Sequence, residues 1–167
     1  YLFQAGSGSP ASPRNSGILN SLAPWVSFLD SDDYWLPNKL DVLRNAIEFN
    51  KDADVLYHYE TMIDLSTNKE TTLSHQRVID DMYEDMLKNG NQLSTSATTI
   101  RKSFLSDHQL FFNESHDFDI VEDFDLWLRL AHKKANFFLI QEVLGVYLVN
   151  GQNLISDWGL YIKNLRN

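Results

Sequence analysis

The chain has 167 residues, 43% hydrophobic and 13% aromatic, a composition that buries a sizeable core and excludes a disordered polymer. Its 14 basic and 23 acidic residues give a net charge of −9, which argues against a nucleic-acid binder held by a basic face. With no cysteine, disulfides and thiolate metal sites are excluded, and no apolar run approaches the ~20 residues of a membrane span.

Taken in chain order, the opening YLFQAGSGSP reads either as an expression scar or as a native loop entered mid-domain. Residues 9–13 hold two prolines and small residues, a turn that starts a helix over 14–22 carrying Ile18, Leu19 and Leu22 on one side. Residues 25–29 (WVSFL) are a short apolar run bounded by turn signals, hence a buried strand. A polar turn follows at 30–33. Pro37 opens a helix to residue 50, with Leu40, Leu43, Ile47 and the aliphatic stem of Lys39 at helical spacing.

Residues 54–59 (DVLYHY) read as a strand, and 66–69 as a hairpin turn within a weakly alternating stretch. A helix over 78–89 has Gly90 as its C-cap. Residues 94–100 (STSATTI) suit a strand lining a site, and 101–107 a short helix. Residues 122–134 form the clearest helix. Two late strands, 137–140 and 143–149, and an amphipathic helix over 158–165 complete the reading. The alternation points to an α/β domain, in which ligands bind at the carboxyl ends of strands.

Two acidic clusters stand out. Asp30, Asp32 and Asp33 end the strand at 25–29. Carboxylates this close raise one another's pKa unless a cation is present, and a hard divalent ion prefers such oxygens. The competing reading is a turn that caps the next helix. An EF-hand is excluded, because its fifth, sixth and twelfth positions would be Tyr34, Trp35 and Asp41. A DxDx[TV] phosphotransfer motif fails at Tyr34, and there is no P-loop or GxGxxG turn.

Glu122, Asp123 and Asp125 begin the clearest helix. Acids there gain ~0.3–1 kcal/mol each from the helix dipole, yet one beside aromatics can also act as a general base. Trp127 either packs in the core or stacks on a sugar. His58 and His75 read as surface or strand residues, and His108, His116 and His132 show no HExxH or other ligand spacing. No GxSxG nucleophile elbow is present.

The order and neighbours of these clusters resemble the inverting family 2 glycosyltransferases of the GT-A fold. SPASPRNSGIL (9–19) is similar to that family's "G-x-s-x-A-R-N-x-G-i" helix start, and WVSFLDSDDYWLPNKL (25–40) follows "y-i-x-F-L-D-s-D-D-x-W-x-p-x-K-L" almost residue for residue. STSATTIRKSFL (94–105) resembles the segment before the acceptor site. Residues 118–156 resemble the "x-E-D-x-D-L-W-l-R-l" helix and the closing "l-x-x-Y-r-x-h-x-x-n-x-S" segment.

The resemblance implies a mixed α/β sheet flanked by helices, with residues 1–167 a single GT-A catalytic domain lacking its first nucleotide-binding strands. Asp30 and Asp32 would be the DxD pair, holding Mg²⁺ or Mn²⁺ on a nucleotide-sugar diphosphate, and Asp30 would also contact the donor. Asp123 would be the general base, Glu122 would bind donor sugar or acceptor, Arg14 and Asn15 would lie near the nucleotide, and Trp127 would stay structural or border the acceptor. The implied reaction moves a sugar to a glycan or lipid-linked acceptor, as in surface polysaccharide or lipooligosaccharide synthesis. The implied location is cytoplasmic, with peripheral association at the inner face of the membrane.

Two departures bear on this. The family's opening "V-S-I-I-I-P-x-Y-N" and "D-D-G-S-x-D" segments are absent, so this stretch alone is expected to be inactive. Asn150 stands where a metal-reaching His is often found. The rival expectation is a GT-A-like module that binds without catalysing.

Overall fold

The computed structural model describes residue 3 and residues 8–74, 81–91 and 93–150. The elements run α1 (Ala11–Asn20), β1 (Trp25–Ser27), β2 (Tyr34–Trp35), α2 (Lys39–Phe49), β3 (Val55–Asp64), β4 (Lys69–Leu73), α3 (Met82–Asn89), β5 (Thr99–Arg101), α4 (Lys102–Asp107), α5 (Glu122–His132) and β6 (Phe137–Val149). A 3₁₀ turn at His116–Phe118 precedes α5.

Strand alternation divides the core in two. Successive side chains of a strand point to opposite faces. Val55 and Tyr57 of β3 therefore enter one apolar cluster with Ile18, Phe28, Trp127 and Leu130. Leu56 enters the other with Leu43, Ile140 and Leu144. Helices α1, α3 and α5 thus cover one face and α2 the other. Full burial of a side chain such as Leu130 or Leu144 contributes ~1.5–3 kcal/mol.

The sheet order is β1-β5-β3-β6-β2, with β4 on the far half of β3. β3 and β6 are parallel from Val55↔Phe137 to Asp64↔Val149, with register shifts around Tyr59. The other pairings are antiparallel, so the sheet is mixed, as expected.

Several elements differ from their expected bounds for physical reasons. α1 begins at Ala11, before residue 14, because Pro13 lies in the first turn, where a missing N–H costs no hydrogen bond. Residues 94–98 form turns, Ala97 N–H to Ser94 O at 3.3 Å and Thr98 N–H to Thr95 O at 3.0 Å, and the strand starts only at Thr99. β2 lies in the expected turn region and exists because Tyr34 and Trp35 pair with Val146 and Gly145. The two late strands are one: Gln141 and Glu142 interrupt the apolar pattern, but they are exposed at the register shift and β6 continues past them.

The hairpin between β3 and β4 matches expectation. Asp64 Oδ1 accepts from Ser66 N–H at 2.8 Å, and Asn68 takes the left-handed φ of 53°. Gly90 ends α3 at φ 79°, and Asp81 caps its start by accepting from Tyr83 and Glu84 N–H. Residues 78–80, the opening loop, His75 and the expected tail helix lie outside the described residues.

Candidate active site

Aromatic packing brings the two acidic clusters together. Phe28 sits two residues before Asp30, and Trp127 sits one helical turn after Asp123. Their rings lie 6.5 Å apart, and Phe112 meets both, edge-on to Phe28 at 5.3 Å and to Trp127 at 6.0 Å. Such pairs add ~0.5–1.5 kcal/mol beyond area burial. With Trp127 fully buried, the end of β1 and the start of α5 are fixed against each other.

Above this packing lies a cavity of about 720 Å³, whose walls include Arg14, Asp30, Asp32, Thr95, Glu122 and Asp123. Arg14 spans it, donating to Asp30 Oδ1 and Glu122 Oε1 at 2.6 Å each. Its guanidinium also stands 5.2 Å from the Phe112 ring centre. Burial works against the Arg14 charge, but Asp30 and Glu122 together outweigh it and hold the pKa above the ordinary value. One fork-shaped cation thus neutralises one acid from each cluster.

Asp123 is held differently. Its Oδ2 accepts from Thr95 Oγ1 at 3.2 Å and from Asn91 Nδ2 at 3.4 Å, and its Oδ1 from Phe124 N–H at 2.6 Å. Burial first, and then the neighbouring Glu122 charge, push its pKa up to about 7, against the opposing pull of Arg14, Phe124 N–H and Thr95. The residue is half-buried by surface and opens onto the cavity, which moderates the burial penalty without changing its sign. A carboxylate of this kind is basic enough to take a proton near neutral pH.

The other sequence-singled residues fall into distinct places. Asp32 is exposed on the cavity rim. Asp33 does not cap α2; it accepts from Ser96 Oγ at 2.6 Å and Leu148 N–H at 3.0 Å, and burial raises its pKa. Asp125 serves its own helix, accepting from Arg129 Nε at 3.0 Å and Nη2 at 2.6 Å. Asn15 is buried and turned to the 112–114 loop: it donates to Phe112 O at 2.9 Å and Glu114 Oε1 at 2.8 Å, and accepts from Phe112 N–H at 2.9 Å. Trp127 packs in the core and does not line the cavity. Asn150 is exposed at the end of β6.

Sequence reasoning missed a buried polar group beneath the acid turn. Lys39, His58 and Glu60 are each 3% exposed or less. Burial brings Lys39 down to about 7 against the attraction of Glu60, and raises Glu60 to about 7. His58, lowered to about 4 by burial and by the Lys39 charge, stays neutral. Gly145 makes room for them: a Cβ there would lie 3.2 Å from Glu60 Oε1 and 3.3 Å from His58 Cε1. Ile120, on the cavity wall, carries a β-branched side chain at φ 76°, a conformation that costs ~1–3 kcal/mol.

The donor set can be tested against a divalent cation. Asp30 and Asp32 both face the cavity and offer hard oxygens, and Mg²⁺ or Mn²⁺ is commonly held by one or two carboxylates plus substrate phosphates. Among the described residues, no three His or carboxylate side chains gather into a ready-made cage. Asp30 and Asp32 are thus the residues that could hold such a cation, with the rest of its coordination left to other ligands.

A mixed sheet covered by helices on both faces is the architecture of GT-A glycosyltransferases. Solved structures bear out the fold: Staphylococcus aureus TarS 1-349 in complex with UDP-GlcNAc superposes with a TM-score of 0.67 at 19% identity, over 94% of this chain and 44% of TarS 1-349. The family described as "Glycosyltransferase like family 2" matches residues 3–154, and the chain belongs to that family.

Its relatives include an uncharacterized glycosyltransferase, MJ1057, of Methanocaldococcus jannaschii, 23% identical over 86% of this chain and 48% of the relative. Another is the succinoglycan biosynthesis protein ExoW of Rhizobium meliloti, 32% identical over 58% of this chain and 35% of the relative. The chain spans about half the length, or less, of these relatives.

Proposed function

We propose that this chain carries the acid–base and donor-diphosphate part of an inverting glycosyltransferase, which moves a sugar from a nucleotide-sugar donor to a glycan or lipid-linked acceptor. The observation that carries the proposal is Asp123, raised to about 7 on the wall of the cavity that also receives Asp30 and Asp32. The names of two of these similar proteins support the substrate classes. TarS is described in complex with UDP-GlcNAc, and ExoW is named for succinoglycan biosynthesis. Surface polysaccharide or lipooligosaccharide assembly is the setting that follows.

In this reading Asp123 accepts the proton of the acceptor hydroxyl as its oxygen attacks the anomeric carbon. The new C–O bond forms on the face opposite the departing diphosphate, whose bond to that carbon breaks, so the configuration inverts. Asp30 and Asp32 would hold Mg²⁺ or Mn²⁺. When bound, the cation supplies charge neutralisation to the leaving diphosphate. Arg14 keeps Asp30 and Glu122 from repelling each other and presents a cation toward the nucleotide phosphates. Glu122 borders the donor sugar or acceptor. Asn15 positions Arg14 by tying α1 to the 112–114 loop, and Trp127 sets the angle of α5.

Among the described residues no helix is long and apolar enough to cross a membrane. For a lipid-linked acceptor, the reading places the protein at the inner membrane face by peripheral association.

The test is to incubate the intact protein with Mn²⁺, a panel of nucleotide sugars and glycan or lipid-linked acceptors, and to read product and anomeric configuration by NMR. Transfer with inversion that is lost in Asp123→Asn supports the proposal. Transfer with retention, or full turnover by Asp123→Asn, overturns the assignment of the base. Donor binding without transfer or hydrolysis under every condition points to the non-catalytic module.

A further inference from the structure

Ser96 holds the acid turn and the residues that follow it from outside. Its hydroxyl accepts from Asp30 N–H at 3.0 Å and donates to Asp33 Oδ2 at 2.6 Å. Its carbonyl accepts from Trp35 Nε1 at 3.0 Å and Lys39 Nζ at 2.8 Å. All four partners lie between residues 30 and 39, while Ser96 belongs to the turn before β5. The Lys39 ammonium stands 4.1 Å from the Trp35 ring centre, so ring and cation press on the same carbonyl.

We propose that Ser96 is a positioning residue, which holds the Asp30–Asp33 turn in the geometry that receives a divalent cation and a diphosphate, with Lys39 as its support from beneath. The proposal rests on the reading of Asp30 and Asp32 given above. Ser96 is 1% exposed and does not line the cavity, so it acts through the acids and not on substrate. Its neighbour Thr98 spends its hydroxyl locally, on Ser94 O at 2.7 Å; Ser96 reaches across the sheet instead.

The network has little slack. Asp33 has its other oxygen on Leu148 N–H at 3.0 Å, so both ends of that carboxylate are fixed. Asp33 N–H closes the turn on Asp30 O at 3.1 Å. Buried networks in which each member has a partner hold one arrangement. Removing the Ser96 hydroxyl would release the Asp30 backbone N–H and one Asp33 oxygen together, loosening the turn that carries Asp30 and Asp32.

The experiment uses the intact protein, with Mn²⁺ plus UDP as the probe and Mn²⁺ plus pyrophosphate as an arm independent of the base. Affinity is read by calorimetry and melting temperature is measured in parallel. Ser96→Ala is expected to weaken Mn²⁺-dependent binding of both probes by about tenfold, the scale of one charge-assisted hydrogen bond. Ser96→Thr, which keeps the hydroxyl, is expected to return affinity to within about threefold. Lys39→Met, which fills the space without the ammonium, is expected to weaken binding in the same direction, and it serves if Ser96→Ala does not fold.

Lowered melting temperature with unchanged affinity in both Ser96→Ala and Lys39→Met overturns the proposal, since that is the mark of a purely structural role. Asp32→Ala separates the two levels of the argument. If it abolishes Mn²⁺-dependent binding while the Ser96 and Lys39 variants bind normally, the positioning role alone falls. If Asp32→Ala also binds normally, or the unaltered protein binds neither probe, the site reading and the positioning role fall together.

Discussion

Glu122 and Arg14, 108 residues apart in the chain, meet at 2.6 Å. Glu122 is 5% exposed, and a carboxylate so enclosed depends on its cation. Arg14→Met is expected to leave that charge unpaired and to destabilise the protein by about 3 kcal/mol, as breaking one side of a buried pair does. Arg14→Lys should recover less than half of the loss, because a single ammonium cannot reach Asp30 and Glu122 in two fixed directions. Urea unfolding of the two variants checks this.

Asp123 should show opposite effects on stability and turnover. Its pKa rises from 3.8 to about 7 on folding, so the folded protein favours the protonated form. The ionised carboxylate therefore costs stability, a cost absent below about pH 4 and complete above about pH 7. Asp123→Asn removes it. The variant is expected to be about 1–2 kcal/mol more stable than the unaltered protein near pH 8, with the gain fading toward pH 4. Its turnover is expected to fall about 100-fold or more. Thermal melts across pH, run beside the transfer assay, test both halves.

The rate should decline as pH falls through about 7, where Asp123 takes up its proton. Glu122 beside it on α5 raises that midpoint. Arg14 from α1 and the Thr95 hydroxyl lower it, and Asn91 adds a neutral amide. Thr95→Val removes one lowering contact, so the acid limb of the pH–rate profile is expected to move upward by about half a unit, the scale of a weak hydrogen bond to a charge. A downward or absent shift would remove Asp123 as the group controlling that limb.

Asn15→Ala is expected to cost about 2–3 kcal/mol, since it orphans the buried Phe112 N–H and C=O together. Asn15→Asp should be no remedy, because it loses both amide donors. Denaturant midpoints measure the loss. Any change in donor affinity should follow the displacement of Arg14, one residue away, and should be smaller than in Arg14→Met.

What the sequence made legible was local. FLDSDD could be read as a strand running into an acidic turn because apolar residues stop where acids begin. EDFDLW could be read as a helix start because Phe124, Trp127 and Leu128 recur at helical spacing. What could not be read was long-range. β2 is two residues of pairing that only β6 dictates. Lys39 was read by its apolar stem, and nothing local shows that its ammonium is enclosed. Asn15 was placed near the nucleotide by resemblance, whereas its amide is turned to a loop 97 residues away. Ser96 stood in a Thr-rich stretch read as lining a site, which placed the neighbourhood without naming the residue.

The parallel pairing of β3 with β6 also orders events in time. Asp33 receives its backbone hydrogen bond from Leu148, 115 residues downstream, and β3 has no parallel partner until β6 exists. At ~5–20 residues per second of synthesis, the acid turn leaves the ribosome roughly 5–25 seconds before the strand that seats it. From its own synthesis until β6 follows, one edge of β3 is exposed to any other extended chain. The nascent protein is open to such mispairing until β6 is made and closes that edge.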